Sequence, residues 1–494
     1  MGFDAPNIDY HAFAPEIVLT ATLVLVLLLD LVAEERARWA TSSVAGIGLL
    51  ASVVPVITLA VDGGERVLFG GAYVVDDFAL VLKALFLLAG YVTILISTDY
   101  IADGDYYEGE YYFMLLSSLL GMTVMASSRD LLSIFVALEL LSIPAYLLAG
   151  WRKRDLRGNE ASLKYYLLGV FATAVMLYGM SLVFGVAGTT LLTGIGDELA
   201  RDSNDIPLVA VGIVFIVVGF GFKVSAVPFH TWAPDTYEGA PTPITAFLSV
   251  ASKTAGFVAL LQLVFVGFLG REDVWGPMFW VLAALTMTVG NLVALRQTNL
   301  VRLLAYSSVA QAGYMLVPFA VAGDLDAGPG TALEAVVAYL IIYAAMNLGA
   351  FAVVMAVARK TRSGEIASYG GLFEYAPGLA VLMSVFLFAL AGIPPLGGWL
   401  AKFVIFRAVL EAGTPAAIVL GIIAAVNSVV ALFYYASIAR EMWMRPVPDG
   451  DRTPVHVTPS LTAALGLAAV ATIVMGVTNL ATRFGDLAVF AGLG

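Results

Sequence analysis

The stretch GFKVSAVPFHTWAPDTYEGAPTP, residues 221–243, places a lysine, several prolines and a histidine between two apolar runs. Lys223 precedes Pro228, and His230 follows it. Proline removes a backbone donor from a helix, and an ionisable side chain at membrane depth is costly to keep. We therefore expect this stretch to form the functional centre of the chain, with the other segments arranged around it.

The composition on both sides of this stretch is typical of a membrane protein. Of the 494 residues, 60% are hydrophobic and 13% are charged. Apolar runs of about 20 residues recur from end to end, and continuous runs favour helices over alternating strands. We predict an all-α polytopic membrane protein with about 14 transmembrane helices. They lie roughly at 12–33, 41–61, 77–98, 111–128, 130–150, 160–187, 207–233, 242–269, 275–295, 299–322, 331–358, 376–410, 415–440 and 460–482.

Several classes of site are disfavoured by residue usage. The chain has no cysteine, which removes disulfides, iron–sulfur clusters and thiolate metal sites, and its three histidines are far apart. It contains no P-loop and no dinucleotide fingerprint. The net charge of −12 gives no reason to expect nucleic-acid binding, because acids gather in connections such as 99–110. We expect no cofactor-binding and no metal-binding residues in this chain.

The positions of lysine and arginine predict the orientation in the membrane. Of the 25 basic residues, fourteen, including Arg36 and Arg38, follow odd-numbered segments, and five lie in the other connections. Cytoplasmic loops are enriched in lysine and arginine, so we place the fourteen in the cytoplasm and both termini on the opposite side. The N-terminal residues carry no basic leader or small-residue cleavage site, and we expect the first apolar run to be a permanent span.

Lysine is concentrated inside the apolar segments. Five of the seven lysines lie there, and each charged one near mid-membrane costs roughly 3 kcal/mol. A desolvated lysine can lose its proton near neutral pH, whereas arginine stays protonated, so buried lysines can carry protons.

The lysines differ in their predicted depth in the membrane. Lys223 and Lys253 are central, and Lys402 lies in a segment that is too long for one straight helix. Lys164 follows Glu160 by four residues, which leaves an ordinary ion pair open, and for Lys83 we favour a side chain that reaches the membrane surface. Glu139 is the deep carboxylate, and we expect it to pair with a lysine.

Two segments are interrupted and five segments apart. The seventh breaks near 225–228 and the twelfth near 393–398, and each break has a lysine beside it. Because five is odd, a five-helix unit that is repeated once has the opposite orientation in the membrane the second time. We therefore predict two inverted five-helix repeats, segments 4–8 and 9–13, each with a broken helix. The predicted divisions are N-terminal helices 1–3 with an acidic loop at 1–110, the first repeat at 111–270, the second at 271–442, and a C-terminal loop and last helix at 443–494.

At the first break the sequence resembles a known family. Residues 228–235, PFHTWAPD, are similar to the antiporter-like membrane subunits of respiratory complex I and of multisubunit cation/proton antiporters. The continuation at 235–241, DTYEGAP, is similar to the subunit N branch of bacterial proton-translocating NADH:quinone oxidoreductase. The resemblance runs from about segment three to segment thirteen, and it implies roles in proton translocation for Glu139, Lys164, Lys223, His230, Lys253 and Lys402.

The resemblance also implies a function and a setting. Glu139 would act as an electrostatic gate on Lys223, and protons would pass by water and His230 to Lys253 and Lys402. The chain would be a non-redox subunit of a translocating enzyme in the bacterial inner membrane, beside sister antiporter-like subunits. NADH, FMN, iron–sulfur clusters and quinone would be bound by other subunits of that enzyme. A subunit of a Na⁺ or K⁺/H⁺ antiporter, a stand-alone solute carrier and a purely structural anchor are the alternatives.

Overall fold

The structure, a computed structural model, describes residues 8–32, 39–104, 108–201, 207–325 and 328–490. Arg36 and Arg38, and residues 105–107 of the acidic connection, lie outside these ranges. Within them the chain is a helical bundle, and the predicted all-α polytopic class is confirmed.

The N-terminal part contains three long helices and a short hairpin. The helices are α1 (Ala14–Val32), α2 (Trp39–Asp62) and α3 (Asp77–Ala102). Strands β1 (Arg66–Leu68) and β2 (Tyr73–Val75) pair antiparallel between α2 and α3, with Arg66 opposite Val75. This hairpin was not predicted, because three residues per strand are too few to show an alternating pattern.

The first half of the remaining chain contains the first interrupted helix. Its helices are α4 (Glu108–Ser127), α5 (Leu131–Ala149), α6 (Leu156–Ala187), α7 (Leu192–Leu199), α8 (Pro207–Lys223), α9 (Trp232–Gly239), α10 (Thr242–Phe247) and α11 (Lys253–Gln262). A π-helical turn at Leu248–Ser252 joins α10 to α11, and a second one at Leu263–Gly267 extends α11, so Thr242–Gly267 forms one continuous span. Such turns often occur at functional positions, and Lys253 directly follows the first of them.

The second half has the same kind of interruption. Its helices are α12 (Glu272–Ala294), α13 (Leu300–Val321), α14 (Gly330–Thr361), α15 (Leu372–Tyr375), α16 (Pro377–Ala391), α17 (Gly397–Ala412) and α18 (Pro415–Met444). Helices α19 (Pro459–Val477) and α20 (Leu480–Leu487) follow. Short 3₁₀ turns lie at Phe69–Gly71, Leu269–Arg271, Ala322–Asp324 and Ile366–Tyr369.

Burial divides the helices into a centre and a periphery. In the described ranges, eleven helices are long and apolar enough to cross a membrane. An 18-residue stretch in each of the spans Thr242–Gly267 and Gly330–Thr361 is entirely buried, whereas only 28% and 33% of such a stretch is buried in α1 and α2. Three further predicted segments correspond to α4 and to the two interrupted helices. The count of fourteen and the domain boundaries stay predictions.

Polar side chains define where several helices begin. The Asp76 carboxylate accepts from the backbone N–H of Ala79 at 2.9 Å and caps α3. Asp130 caps α5 through the N–H groups of Leu132 and Ser133, and Asn299 caps α13 in the same way. Because the first N–H groups of a helix have no partner within it, these caps hold the helix starts in place.

Both predicted breaks are present and are packed against other helices. Helix α8 ends at Lys223 and α9 begins at Trp232, and the Val227 N–H between them donates to Thr286 Oγ1 at 2.9 Å. Helix α16 ends at Ala391, Gly392 has φ +91°, and α17 begins at Gly397. A Cβ at Gly398 would lie 1.7 Å from the Ala389 carbonyl oxygen, so this close approach requires glycine.

Candidate functional site

Lys223 ends α8 inside the bundle and is 3% exposed. Its Nζ donates to Ser142 Oγ on α5 at 2.8 Å and to the Tyr165 hydroxyl on α6 at 3.4 Å. The first break therefore places an ammonium group among the hydroxyl groups of two neighbouring helices.

Glu139 lies on α5 one turn before Ser142 and is half-buried. Among the described residues it forms no direct ion pair with Lys223, although the two charges act on each other through space. Residues three apart share one face of a helix, so the carboxylate and the hydroxyl that contacts Lys223 lie on the same side of α5.

Lys253 is 1% exposed and contacts α13. Its Nζ donates to the Ser308 carbonyl oxygen at 2.6 Å and to the Ser308 hydroxyl. The Tyr343 hydroxyl on α14 also donates to Ser308 Oγ, at 2.9 Å. The ligands of this second ammonium group are neutral oxygens.

Two features bring Lys223 close to the helix that carries Lys253. The Tyr165 hydroxyl, which accepts from Lys223, also interacts with the side chain of Ser252, the residue before Lys253. A Cβ at Gly256 would lie 3.1 Å from Lys223 Cγ, so the absence of a side chain there permits the approach. Tyr165 and Ser252 thus lie between the first and second lysines.

Lys402 lies in α17 and is 6% exposed. Its Nζ reaches back across the second break and donates to the Ala391 carbonyl oxygen, the last of α16, at 2.7 Å. It also lies 4.8 Å from the centre of the Tyr314 ring on α13. The interruption of the helix supplies a free carbonyl as the ligand of the third ammonium group.

One face of α13 connects the second and third lysines. The face is formed by residues at one-turn spacing, which are Ser307, Ser308, Gln311 and Tyr314. Gln311 Nε2 donates to the Leu390 carbonyl at 3.0 Å, next to the carbonyl that binds Lys402. Gln311 and Ser307 both contact the Tyr435 hydroxyl, at 3.3 and 2.5 Å. Buried polar groups on this face and on its neighbours therefore lie between Lys253 and Lys402.

His230 is half-buried in the first break. Its ring lies 6.3 Å from that of Tyr306, and within the described ranges Nδ1 has no hydrogen-bond partner. No direct contact with Lys223 or Lys253 is formed in the described part of the chain. Its position between the two lysines in a transfer path stays a prediction.

Lys164 belongs to a separate charge cluster. Its Nζ lies 2.7 Å from Glu160 and 2.8 Å from Asp235, so the ordinary ion pair with Glu160 is present. Arg302 joins the same cluster, at 2.9 Å from Asp235 and 2.8 Å from Glu238. The cluster borders a cavity of about 160 Å³, and the Lys164 side chain is 43% exposed. It provides a polar, accessible edge beside the first break.

The interpretation of Lys83 as a surface-reaching side chain is wrong. The residue is fully buried, and its Nζ lies 3.0 Å from Glu16 Oε1. The nearby Asp76 suggested a membrane edge, but Asp76 is itself buried and pairs with Arg129 at 2.8 Å. Charge pairing inside the bundle replaces contact with water here.

The sequence did not indicate the hydroxyl groups that contact the lysines or the amide that lies between the second and third lysines. Ser142, Tyr165, Ser308 and Gln311 stand within apolar helices, where serine and threonine commonly bond to their own backbone. The spacing of the polar residues on α13, at positions 307, 308, 311 and 314, is the one signal that could have indicated a shared face.

Comparisons with known proteins agree with the resemblance at the first break. The family described as NADH:quinone oxidoreductase/Mrp antiporter, TM matches residues 128–428. A protein named NADH-quinone oxidoreductase subunit N from Trichlorobacter lovleyi is 38% identical over 476 residues, covering 95% of each chain. One of the same name from Desulforamulus reducens is 41% identical and also covers 95% of each chain.

Solved structures share the architecture. A chain in the structure of respiratory complex I from Thermus thermophilus with bound aureothin is 32% identical, with a TM-score of 0.77, covering 94% of this chain and 97% of that one. A chain of the Mrp complex from a Dietzia species has a TM-score of 0.83 at 22% identity, covering 97% of each, which shows the common fold alone. The chain belongs to the NADH:quinone oxidoreductase/Mrp antiporter transmembrane family and, within it, to the relatives named NADH-quinone oxidoreductase subunit N.

Proposed function

We propose that this chain is the non-redox, proton-translocating membrane subunit of an NADH:quinone oxidoreductase. The observation that carries the proposal is the buried series of Lys223, Lys253 and Lys402, whose ammonium groups contact hydroxyls and carbonyls. Subunit N relatives at 38–41% identity favour this function over that of an antiporter subunit.

Protons move along the lysine series by transfer between neighbouring polar groups. Lys223 passes a proton by way of Tyr165 and Ser252 to Lys253, because those hydroxyls can both accept and donate. From Lys253 the route follows Ser308, the polar face of α13 and the second break to Lys402. Internal water and His230 serve as further carriers in the first break.

Glu139 acts as the electrostatic gate of the first lysine. Its negative charge stabilises the ammonium form of Lys223 when the two are close, and separation weakens this effect. The half-buried carboxylate and the hydrogen bond from Lys223 to Ser142 support such a two-position arrangement. Lys164, with Asp235 and Arg302, supplies the polar edge through which protons reach this gate.

The setting follows from the proposed function. The chain lies in the bacterial inner membrane beside sister antiporter-like subunits, with both termini on the non-cytoplasmic side. NADH, FMN, iron–sulfur clusters and quinone belong to other subunits of the enzyme. Quinone reduction in those subunits drives the proton transfer here.

Replacement of the first lysine tests the proposal. Lys223→Met keeps an unbranched side chain but removes the transferable proton, so proton translocation in inverted membrane vesicles driven by NADH should fall while the complex still assembles. Lys153→Met, in the exposed connection before α6, is the matched control. A full proton-to-NADH ratio in Lys223→Met would contradict the proposal.

A further inference from the structure

A second buried acid and lysine pair lies outside the series described above. Glu16, at the start of α1, is 1% exposed, and Lys83 of α3 is 0% exposed. Their charged groups lie 3.0 Å apart, and Lys83 Nζ also donates to the Tyr73 hydroxyl at 2.8 Å. Both residues precede residues 128–428, the part of the chain that the family description matches.

Other charged and polar groups surround the pair. Asp76 and Arg129, themselves paired at 2.8 Å, act electrostatically on Lys83. The Tyr73 hydroxyl lies near Ser127 at the end of α4. Acidic and basic groups thus alternate from the end of α4 to the start of α1.

The Glu16 carboxylate is poorly satisfied for a buried charge. Within the described ranges its partners are the Lys83 ammonium, 3.0 Å from Oε1, and the nearby Tyr73 hydroxyl. A buried ion pair is favourable only when further hydrogen bonds satisfy the remaining lone pairs. Moving one proton from Lys83 to Glu16 gives a neutral amine and a neutral acid and removes both charges.

A polar connection joins this pair to the lysine series. Gln262, at the end of α11, donates from Nε2 to the carbonyls of Met125 and Ala126, both at 2.9 Å. It lies nine residues after Lys253, or about 13 Å along the helix. Gln262 Oε1 is buried without a hydrogen-bond partner in the described ranges, and such an atom commonly binds internal water. Gln262, Ser127 and Tyr73 are thus polar positions between the end of α11 and Lys83.

We propose that Glu16 and Lys83 form a second proton-exchange site, which connects Lys253 through Gln262 and Tyr73 to the end of the bundle that carries the β1–β2 hairpin. The predicted orientation places this end on the non-cytoplasmic side, and Lys83 is about 9 Å along α3 from Asp77. The inference rests on the proposed function, because it assigns the exchange site to the same proton path.

Three variants in the intact complex test the inference. Glu16→Gln keeps the shape of the side chain and removes the exchangeable proton. Lys83→Arg keeps the positive charge beside Glu16 but cannot release a proton near neutral pH. Arg66→Gln alters an exposed ion pair with Asp9 in the same region and is the control. Proton translocation and assembly are measured in inverted vesicles, beside Lys223→Met.

We expect Glu16→Gln and Lys83→Arg to lower the proton-to-NADH ratio by the same fraction as Lys223→Met, with Arg66→Gln unchanged. Full translocation in Glu16→Gln would overturn the inference. If Lys83→Arg does not assemble, the result for Glu16→Gln alone decides whether the inference holds. Recovery in the double variant Glu16→Gln/Lys83→Met would also overturn it, since an ion pair that only stabilises the fold is dispensable when both charges are removed. A loss in Lys223→Met with full translocation in Glu16→Gln rejects this site alone, whereas full translocation in Lys223→Met rejects the proposed function.

Discussion

Lys253 binds Ser308 twice, through the backbone carbonyl oxygen at 2.6 Å and through the side-chain hydroxyl. The carbonyl can only accept a hydrogen bond, whereas the hydroxyl can accept one and pass a proton onward. Ser308 therefore both binds the ammonium group and has a hydroxyl that can accept its proton. The same hydroxyl accepts from Tyr343 at 2.9 Å, which fixes its orientation.

We predict that Ser308→Ala slows proton translocation with little effect on assembly. The carbonyl contact to Lys253 remains, but the hydroxyl is lost. A hydrogen bond to a charged group contributes about 1.5–3 kcal/mol, and about 1.4 kcal/mol corresponds to tenfold in rate. We expect a loss of about tenfold or more in transfer through this chain, measured in NADH-driven vesicles. Ser181→Ala, whose exposed hydroxyl donates to the Tyr178 carbonyl of its own helix, should be unchanged.

Gln311→Leu should interrupt the route between Lys253 and Lys402. Gln311 contacts the Leu390 carbonyl and the Tyr435 hydroxyl, and Tyr339 donates to its oxygen. A leucine removes a partner from each of these buried groups, and a buried group that is left unsatisfied costs about 1–3 kcal/mol. We expect a lower melting temperature in detergent and lower translocation. Gln297→Leu, which alters an amide in the connection after α12 that donates to the Val293 carbonyl, is the control. Equal behaviour of the two variants would contradict the prediction.

Gly398→Ala should destabilise the second break. The new methyl group would lie 1.7 Å from the Ala389 carbonyl oxygen, and backbone at that distance must shift. Overpacking of a close-packed interior costs about 1–3 kcal/mol or more. We expect less folded protein in the membrane and a lower melting temperature. Gly378→Ala, where a Cβ meets no atom within 4 Å, should be neutral, so similar losses in both variants would count against this reason.

The predicted orientation can be tested by cysteine labelling, since the natural chain has no cysteine. Arg154 and Glu65 are exposed in connections assigned to opposite sides of the membrane. A membrane-impermeant maleimide should label Glu65→Cys from outside intact spheroplasts and Arg154→Cys only in inverted vesicles. The reverse pattern would invert the orientation.

The interrupted helices were predictable because proline and glycine act locally. Pro228 and the run at 393–398 end helices by removing donors or side-chain contacts, whatever the neighbouring segments do. The observed breaks span 224–231 and 392–396, close to the predicted 225–228 and 393–398. The positions of Lys223 and Lys402 beside them follow directly from the sequence.

The partners of the lysines depend on packing between distant segments and could not be predicted. Ser142 and Ser308 resemble Thr93, which bonds to the Ala89 carbonyl of its own helix, until the helices are placed beside one another. Lys83 was misjudged for the same reason. Its depth was inferred from a neighbouring aspartate, but that aspartate and Glu16 are both buried by tertiary contacts.

The contact between Val227 and Thr286 ties the hinge of one half to a helix of the other. If the first interrupted helix moves, α12 must move with it, or the buried Val227 N–H loses its hydrogen-bond acceptor. An unpaired N–H in a low-dielectric interior is costly. Movement of the first interrupted helix is therefore coupled to the second half of the chain through this hydrogen bond. A fragment that ends before α12 would lack the acceptor that steadies its own hinge.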